Sequence, residues 1–244
     1  MIKTLLLSLL FTLSLMGEEV YATFDVVARK EANLNLTAQG IVKVLNVDVG
    51  SHVKKGAVLL EIDNDDLVAS IDLARERLKK AKIEEQFARQ TYDRYRQVES
   101  VIEAELMDQY TLAYQKASAA SSEAKASLRY QETLLEKSRL RAPFSGVIAS
   151  RNIELGDSVV GSSSLLKLIS SDAKLILNFD EKYLHRVKVG SKVRYRLDGQ
   201  SGERIGSISK IYPSVNAKNR KATAEVLTSN IAPGLFGEAY IVVK

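Results

Sequence analysis

The chain has 244 residues, 45% hydrophobic and 27% charged, with 13 Gly, 3 Pro, no Cys and no Trp. This is a folding composition with apolar content for at least one core, and without cysteine there are no disulfides, thiolate metal sites, Cys nucleophiles or thioether-linked lipid anchors. The formal charge of +5 is the difference of 35 basic and 30 acidic residues, an excess diluted along the sequence, so no nucleic-acid partner is expected.

Lys3 precedes an apolar run over residues 5–15, followed by Met16-Gly17-Glu18-Glu19. Charge, apolar run and small residue follow the order of a secretory signal, which assigns residues 1–17 to a signal peptide cleaved near Gly17. The run falls short of the roughly 18 to 20 apolar residues of a spanning helix. A buried strand or a retained anchor is the alternative.

Residues 57–142 contain neither Gly nor Pro, which points to helix. Leu67, Ile71, Ala74, Leu78, Ala81, Ala88, Tyr92 and Tyr95 recur at spacings of three and four, interrupted only by Glu85. That is a heptad seam. A second seam is read through Leu106, Tyr110, Ala113, Ala117, Ala120 and Ala124, with the chain reversing over residues 99–105, giving two antiparallel arms of roughly 50 Å each. At the start of the first arm stand Asp63-Asn64-Asp65-Asp66. They suit the N–H groups and positive dipole of a helix N-terminus better than a cation site, since no EF-hand glycine and distal Glu follow.

On both sides of the helical region lies an internal repeat at an offset of 106 residues. Gly40-Ile41-Val42 matches Gly146-Val147-Ile148, Gly50 matches Gly156, Val53 matches Val159, and Leu59-Leu60-Glu61-Ile62 matches Leu165-Leu166-Lys167-Leu168. Each copy alternates as a half-buried strand does and turns at a glycine, which predicts positive φ at Gly50 and Gly156. One copy has too few strands to close a core.

Two half-motifs around a helical hairpin, with Arg141-Ala142-Pro143-Phe144-Ser145-Gly146 opening the second, resemble the periplasmic adaptor family, also called membrane fusion proteins, of efflux pumps of the RND type or related types. Downstream, Phe179-Asp180-Glu181, Val189-Gly190 and Ala232-Pro233-Gly234-Leu235-Phe236 resemble that family's β-barrel domain. The resemblance implies a mixed α and β multidomain fold, with a long antiparallel α-helical hairpin inserted in a split β lipoyl-like domain, plus a small antiparallel β-barrel. Residues 18–37 would be an N-terminal strand segment joining the barrel, 38–63 and 141–170 the lipoyl-like halves, 64–140 the hairpin and 171–244 the barrel. A fourth, membrane-proximal domain of larger members is expected to be absent.

The family bridges an inner-membrane transporter and an outer-membrane channel, usually as homo-oligomers, trimers or hexamers in assembly. A periplasmic location, associated with the inner membrane through the transporter, is implied. At the hairpin tip, relatives carry an Arg, a Leu four residues later and a Ser further on. Arg94 and Val98 match the first two loosely and the Ser position falls near Glu103, which makes these three the candidate channel-docking residues. Residues 99–108 hold four acids and no base, so a negative tip is expected.

Adaptors of ABC-type exporters or type I secretion systems are the alternative within the class. A lipoyl or biotinyl carrier is the alternative outside it, but a carrier needs a lysine at the turn between its halves, and residues 63–66 contain none. His52 and His185, the only histidines, sit in no hydrolase or metalloprotease motif. No enzyme activity, cofactor or metal site is expected. Cell fractionation with N-terminal sequencing is expected to find an exported chain beginning near residue 18; a cytoplasmic product retaining Met1 would defeat both the export and the adaptor readings.

Overall fold

A computed structural model describes residues 18–98, 103–161 and 163–243. The leader assigned to residues 1–17 lies outside the described residues, as do residues 99–102 of the expected reversal. The chain runs β1 (Glu18–Ala28), β2 (Glu31–Leu34), β3 (Gly40–Leu45), β4 (His52–Val53), β5 (Val58–Ile62), α1 (Asp65–Arg96), α2 (Ala104–Lys137), β6 (Arg139–Arg141), β7 (Gly146–Arg151), β8 (Ser158–Val159), β9 (Leu166–Ile169), β10 (Ala173–Asp180), a 3-10 turn Glu181–Tyr183, β11 (Lys192–Leu197), β12 (Arg204–Ile211), β13 (Lys221–Thr228) and β14 (Phe236–Val243). It divides into two compact units. One takes the chain up to Ala32, Ser145–Val147 and everything from Leu168; the other takes Asn33–Phe144 and Ile148–Lys167.

The first unit is built on a closed antiparallel barrel in the order β1-β10-β13-β12-β11-β14. Strict alternation makes its strands: in β1 Val20, Ala22, Phe24, Val26 and Ala28 are buried while the residues between them are not, as a strand with one face on a core requires. β1 is not an edge, because it pairs with β10 on one side and β14 on the other, and so closes the ring and leaves no open edge. Phe24, Phe179, Leu175, Leu177, Ile208 and Ile241 fill the interior, each worth about 1.5–3 kcal/mol of burial. On β13, Glu225 is buried among polar partners: Lys174 Nζ and the Tyr212 hydroxyl each donate to its Oε1 at 2.6 Å.

Two four-stranded sheets carry the repeat, in the orders β6-β5-β3-β8 and β2-β9-β7-β4. Each copy lends its short strand to the other's sheet. Val42 N–H donates to Asp157 O (2.9 Å) and Ile148 N–H to Ser51 O (3.0 Å); Gly50 N–H donates to Ile148 O (2.8 Å) and Gly156 N–H to Val42 O (2.9 Å). In each pair the partners exchange under the 106-residue offset, so the halves are related as by a two-fold axis. The equivalence also reaches beyond the matched sequence, since Leu34 and Leu140 are buried at the same offset, as are Leu36 and Ala142. Residues 31–34, grouped by sequence with the barrel segment, therefore pair in the β2-β9-β7-β4 sheet. Similarly, the second half opens at Arg139 rather than 141, because the helix stops at Lys137 and β6 pairs at once with β5.

The helices pack antiparallel, as the ring pairs Tyr95–Tyr110 and Tyr92–Tyr114 require. The first seam lies where its spacing puts it, with Ile71, Ala74 and Ala81 buried. The second is rotated: Met107 and Ser121 are its buried positions, whereas Ala113 and Ala120 are exposed. Alanine is small enough to sit on either face, so the contacts with Glu85, Tyr92 and Tyr95 decide the rotation. Among the described residues no helix is long and apolar enough to cross a membrane.

Two measurements test this architecture. Gly50 and Gly156 have φ of 84° and 90°, so valine at either is expected to destabilise by about 1 kcal/mol or more in thermal melts. A Cβ on Gly146 would lie 2.0 Å from the Ile169 carbonyl oxygen, whereas one on Gly40 would meet only the Ile62 side chain, 3.1 Å away at the nearest; Gly146→Ala is expected to lower the melting temperature far more than Gly40→Ala. The second measurement concerns acid. Burial pushes the Glu225 carboxyl up, but hydrogen bonds from Lys174 and Tyr212 and the nearby charges of Lys174 and Lys210 outweigh it, leaving it below its ordinary value of 4.5. The unfolded chain then binds the proton first, so this stability is present above about pH 4.5 and lost as pH falls through the lowered value. Glu225→Gln is expected to flatten that acid slope and to cost about 1–3 kcal/mol at neutral pH.

Candidate functional site

The candidate site is the distal end of the helix pair, where the expected docking residues stand. α1 ends at Arg96, and Val98 N–H donates to Tyr95 O at 3.1 Å. α2 opens from Glu103, whose extended backbone (φ −66°, ψ 136°) turns its carbonyl towards the N–H groups of Leu106 and Met107. Arg94 and Glu103 are exposed, and Val98 is 43% exposed. Arg94 lies in the last turn of α1 and Glu103 at the start of α2, each with the sign that the local helix dipole favours. The structure brings the three to the same end of the pair, and residues 99–102 between them lie outside the described residues.

Beneath them the end is stiffened by aromatic rings rather than aliphatic packing. Tyr95 stacks on Tyr110 with centroids 4.2 Å apart, and Tyr92 on Tyr114 at 5.6 Å, with the Arg96 guanidinium 5.9 Å from the Tyr92 centroid. A hydrogen bond with Tyr95, together with burial, pushes the Tyr110 phenol above its ordinary value. Such stacked pairs add about 0.5–1.5 kcal/mol beyond burial. Further along the pair, Ser121 and Ser118 hydroxyls bond to Glu85, the interruption in the first seam, and hold its carboxyl below the ordinary value. Sequence reasoning missed Tyr114 and Met107 as seam residues. The signal was the spacing of Tyr110 and Tyr114, one helical turn apart and facing two tyrosines on the other arm.

At the opposite end of the helices a polar cluster joins the arms. Asn64 Nδ2 donates to Ser138 Oγ (3.2 Å) and to Glu61, and Arg139 Nε lies 3.1 Å from Glu61 Oε2. Burial raises the Glu61 pKa, but Asn64 and Arg139 hydrogen bonds outweigh it and leave it lowered. Asp65 and Asp66 occupy the first turn of α1, and Asp63 Oδ1 accepts from Asp65 N–H. Lys43 pairs with Asp63 and Asp65, so this acidic run caps the helix. Asn64, at the capping position itself, makes no side-chain cap bond. His52 and His185 are exposed. No group of three or more metal-ligating side chains occurs among the described residues.

Residues 30–170 match the family described as CzcB-like, barrel-sandwich hybrid domain. The cobalt-zinc-cadmium resistance protein CzcB of Cupriavidus metallidurans is 30% identical over 85% of this chain and 41% of its own length. The efflux pump periplasmic linker BepD of Brucella suis is 28% identical over 69% of this chain and 45% of its own. The chain thus spans less than half the length of these relatives. Among solved structures, the membrane fusion protein Spr0693 of Streptococcus pneumoniae superposes with a TM-score of 0.71 at 17% identity, covering 92% of this chain and 99% of that one.

Proposed function

We propose that this chain, which belongs to the CzcB-like membrane fusion, or periplasmic adaptor, family, is the adaptor subunit of a tripartite efflux pump, joining an inner-membrane transporter to an outer-membrane channel. The observation that carries the reading is the placement of a long antiparallel helix pair between two halves of one repeat, with a separate closed barrel. In this reading the sheets formed by the repeat are the split lipoyl-like domain, the helices are its inserted hairpin, and the role is mechanical and non-catalytic. Copies of the chain would line up their hairpins into a tube that meets the channel, while the barrel relays rearrangement of the transporter. A carrier function has no support at the turn between β5 and α1, where Asp63, Asn64, Asp65 and Asp66 offer no lysine. On the likeness to CzcB, named for cobalt, zinc and cadmium resistance, the cargo we favour is a divalent transition-metal cation.

The tip supplies the test. Arg94→Glu or Glu103→Lys is expected to abolish export and crosslinking to the channel while changing stability by no more than about 0.5 kcal/mol, as exposed substitutions do. Lys125→Glu, an exposed change on α2 away from the tip, serves as the control and is expected to leave export near the parental level. Zinc or cobalt tolerance of cells carrying each variant, circular dichroism and crosslinking yield are the measurements. Equal export from tip and control variants would remove Arg94, Val98 and Glu103 from the mechanism.

A further inference from the structure

The barrel has two chemically unequal ends. The register sets Glu18 beside Val243, Val193 beside Ile241, Lys192 beside Ser207 and Asp180 beside Lys221. The starts of β1, β11 and β13, with the loops of residues 184–191 and 212–220, therefore share one rim. Lys188, Lys192, Lys218, Arg220 and Lys221 are exposed on it, and none of their side chains forms an ion pair among the described residues. Of the acids there, Glu18 holds Arg186 at 2.6 Å and Asp180 holds Lys182 at 3.9 Å, which leaves the exposed Glu181 against five cations. At the opposite end both signs occur together, with Arg29 4.0 Å from Asp172 and Asp198, Glu203 and Arg204 close in sequence. This rim thus carries a surplus of exposed cations that the opposite end lacks.

We propose that this rim docks on an anionic phospholipid surface. Two observations favour a bilayer over an acidic protein. Val189, 65% exposed at the tip of the loop before Gly190, sets an apolar side chain among the cations, a pairing suited to the headgroup boundary. The cations are spread over separate loops around a ring rather than clustered opposite a single site, as suits a plane of mobile negative charges. The proposal rests on neither the channel-docking tip nor the identity of the cargo.

The full chain, recovered from cells that export it, is floated with vesicles of phosphatidylcholine alone or mixed with phosphatidylglycerol, at rising salt. Binding to the anionic vesicles is expected to exceed that to the neutral ones and to fall with salt, as screening requires. The combined variant Lys188→Glu, Lys192→Glu, Lys221→Glu is expected to lose this excess by about tenfold or more. The corresponding Gln variant, which is gentler on folding, should lose less. Reversal of Arg29 and Arg204 at the other end should change nothing, and melting temperatures check that each variant is folded. Equal binding to neutral and anionic vesicles, or unchanged binding of both rim variants, would overturn the proposal. So would rim variants that lose capture of an acidic transporter domain while still floating with anionic vesicles, since that result would assign the rim to a protein.

Discussion

The reciprocal hydrogen bonding between the two repeat halves is the constraint on which the split domain depends. Val42 and Ile148 each donate to a turn of the other copy and accept from its glycine, so neither copy completes its sheet alone. The glycines make this possible because their positive φ folds the turn back far enough for the N–H to reach across, at a strain that a side chain would feel. Leu59, Leu60, Leu165 and Leu166, all almost fully buried, then share the core that the exchange encloses. Hydrophobic burial supplies the driving force there, and the exchanged bonds set which strands may pair.

The helix pair follows from the same constraint. A segment inserted between β5 and β6 must leave and return at adjacent strands, and an antiparallel pair does so at any length. Its base is fixed by Asn64, Glu61, Ser138 and Arg139, a cluster in which every described buried polar side-chain atom has a partner. Its seam is mixed rather than oily, with Ala74 and Ala81 allowing close approach, Glu85 meeting Ser118 and Ser121, and tyrosine stacks near the far end. Polar contacts of this kind contribute little net energy but are costly to mismatch, so they fix the register of one arm on the other more firmly than an all-alanine seam would.

The sequence revealed most where a residue type has few alternatives. Gly50 and Gly156 stand where only glycine is comfortable, and their equal spacing from the apolar pairs exposed the repeat before any strand was placed. The run without Gly or Pro announced the helices for the same reason. The rotation of α2 was not legible, since Leu106, Ala113 and Ala120 make as regular a stripe as Met107, Tyr114 and Ser121, and the choice lies in contacts with the other arm. The membership of β2 was hidden because its partner β9 is more than a hundred residues away. The barrel's order, with β1 between β10 and β14, likewise depends on pairing that no local pattern encodes, and the charge asymmetry of its two ends becomes visible only once that order is known. For the docking residues the sequence offered a likeness alone. The structure brings Arg94, Val98 and Glu103 to one end of the helices.

The exchange of short strands also governs the order in which the chain can mature. β3 and β5 emerge early but cannot complete their sheet until β6 and β8 arrive, and β4 must wait for β7, after the whole helical segment has been made. Closing so long a loop by random search is slow, although the entropy itself grows only by about 0.6 kcal/mol for each doubling of length. Helices form in microseconds, and once the pair has zipped from its distal end its base holds Glu61 and Arg139 side by side, which converts a distant encounter into a local one. On the export reading, a chain of this design stays unfinished while it is threaded through a translocation pore and locks only after its C-terminal half has followed.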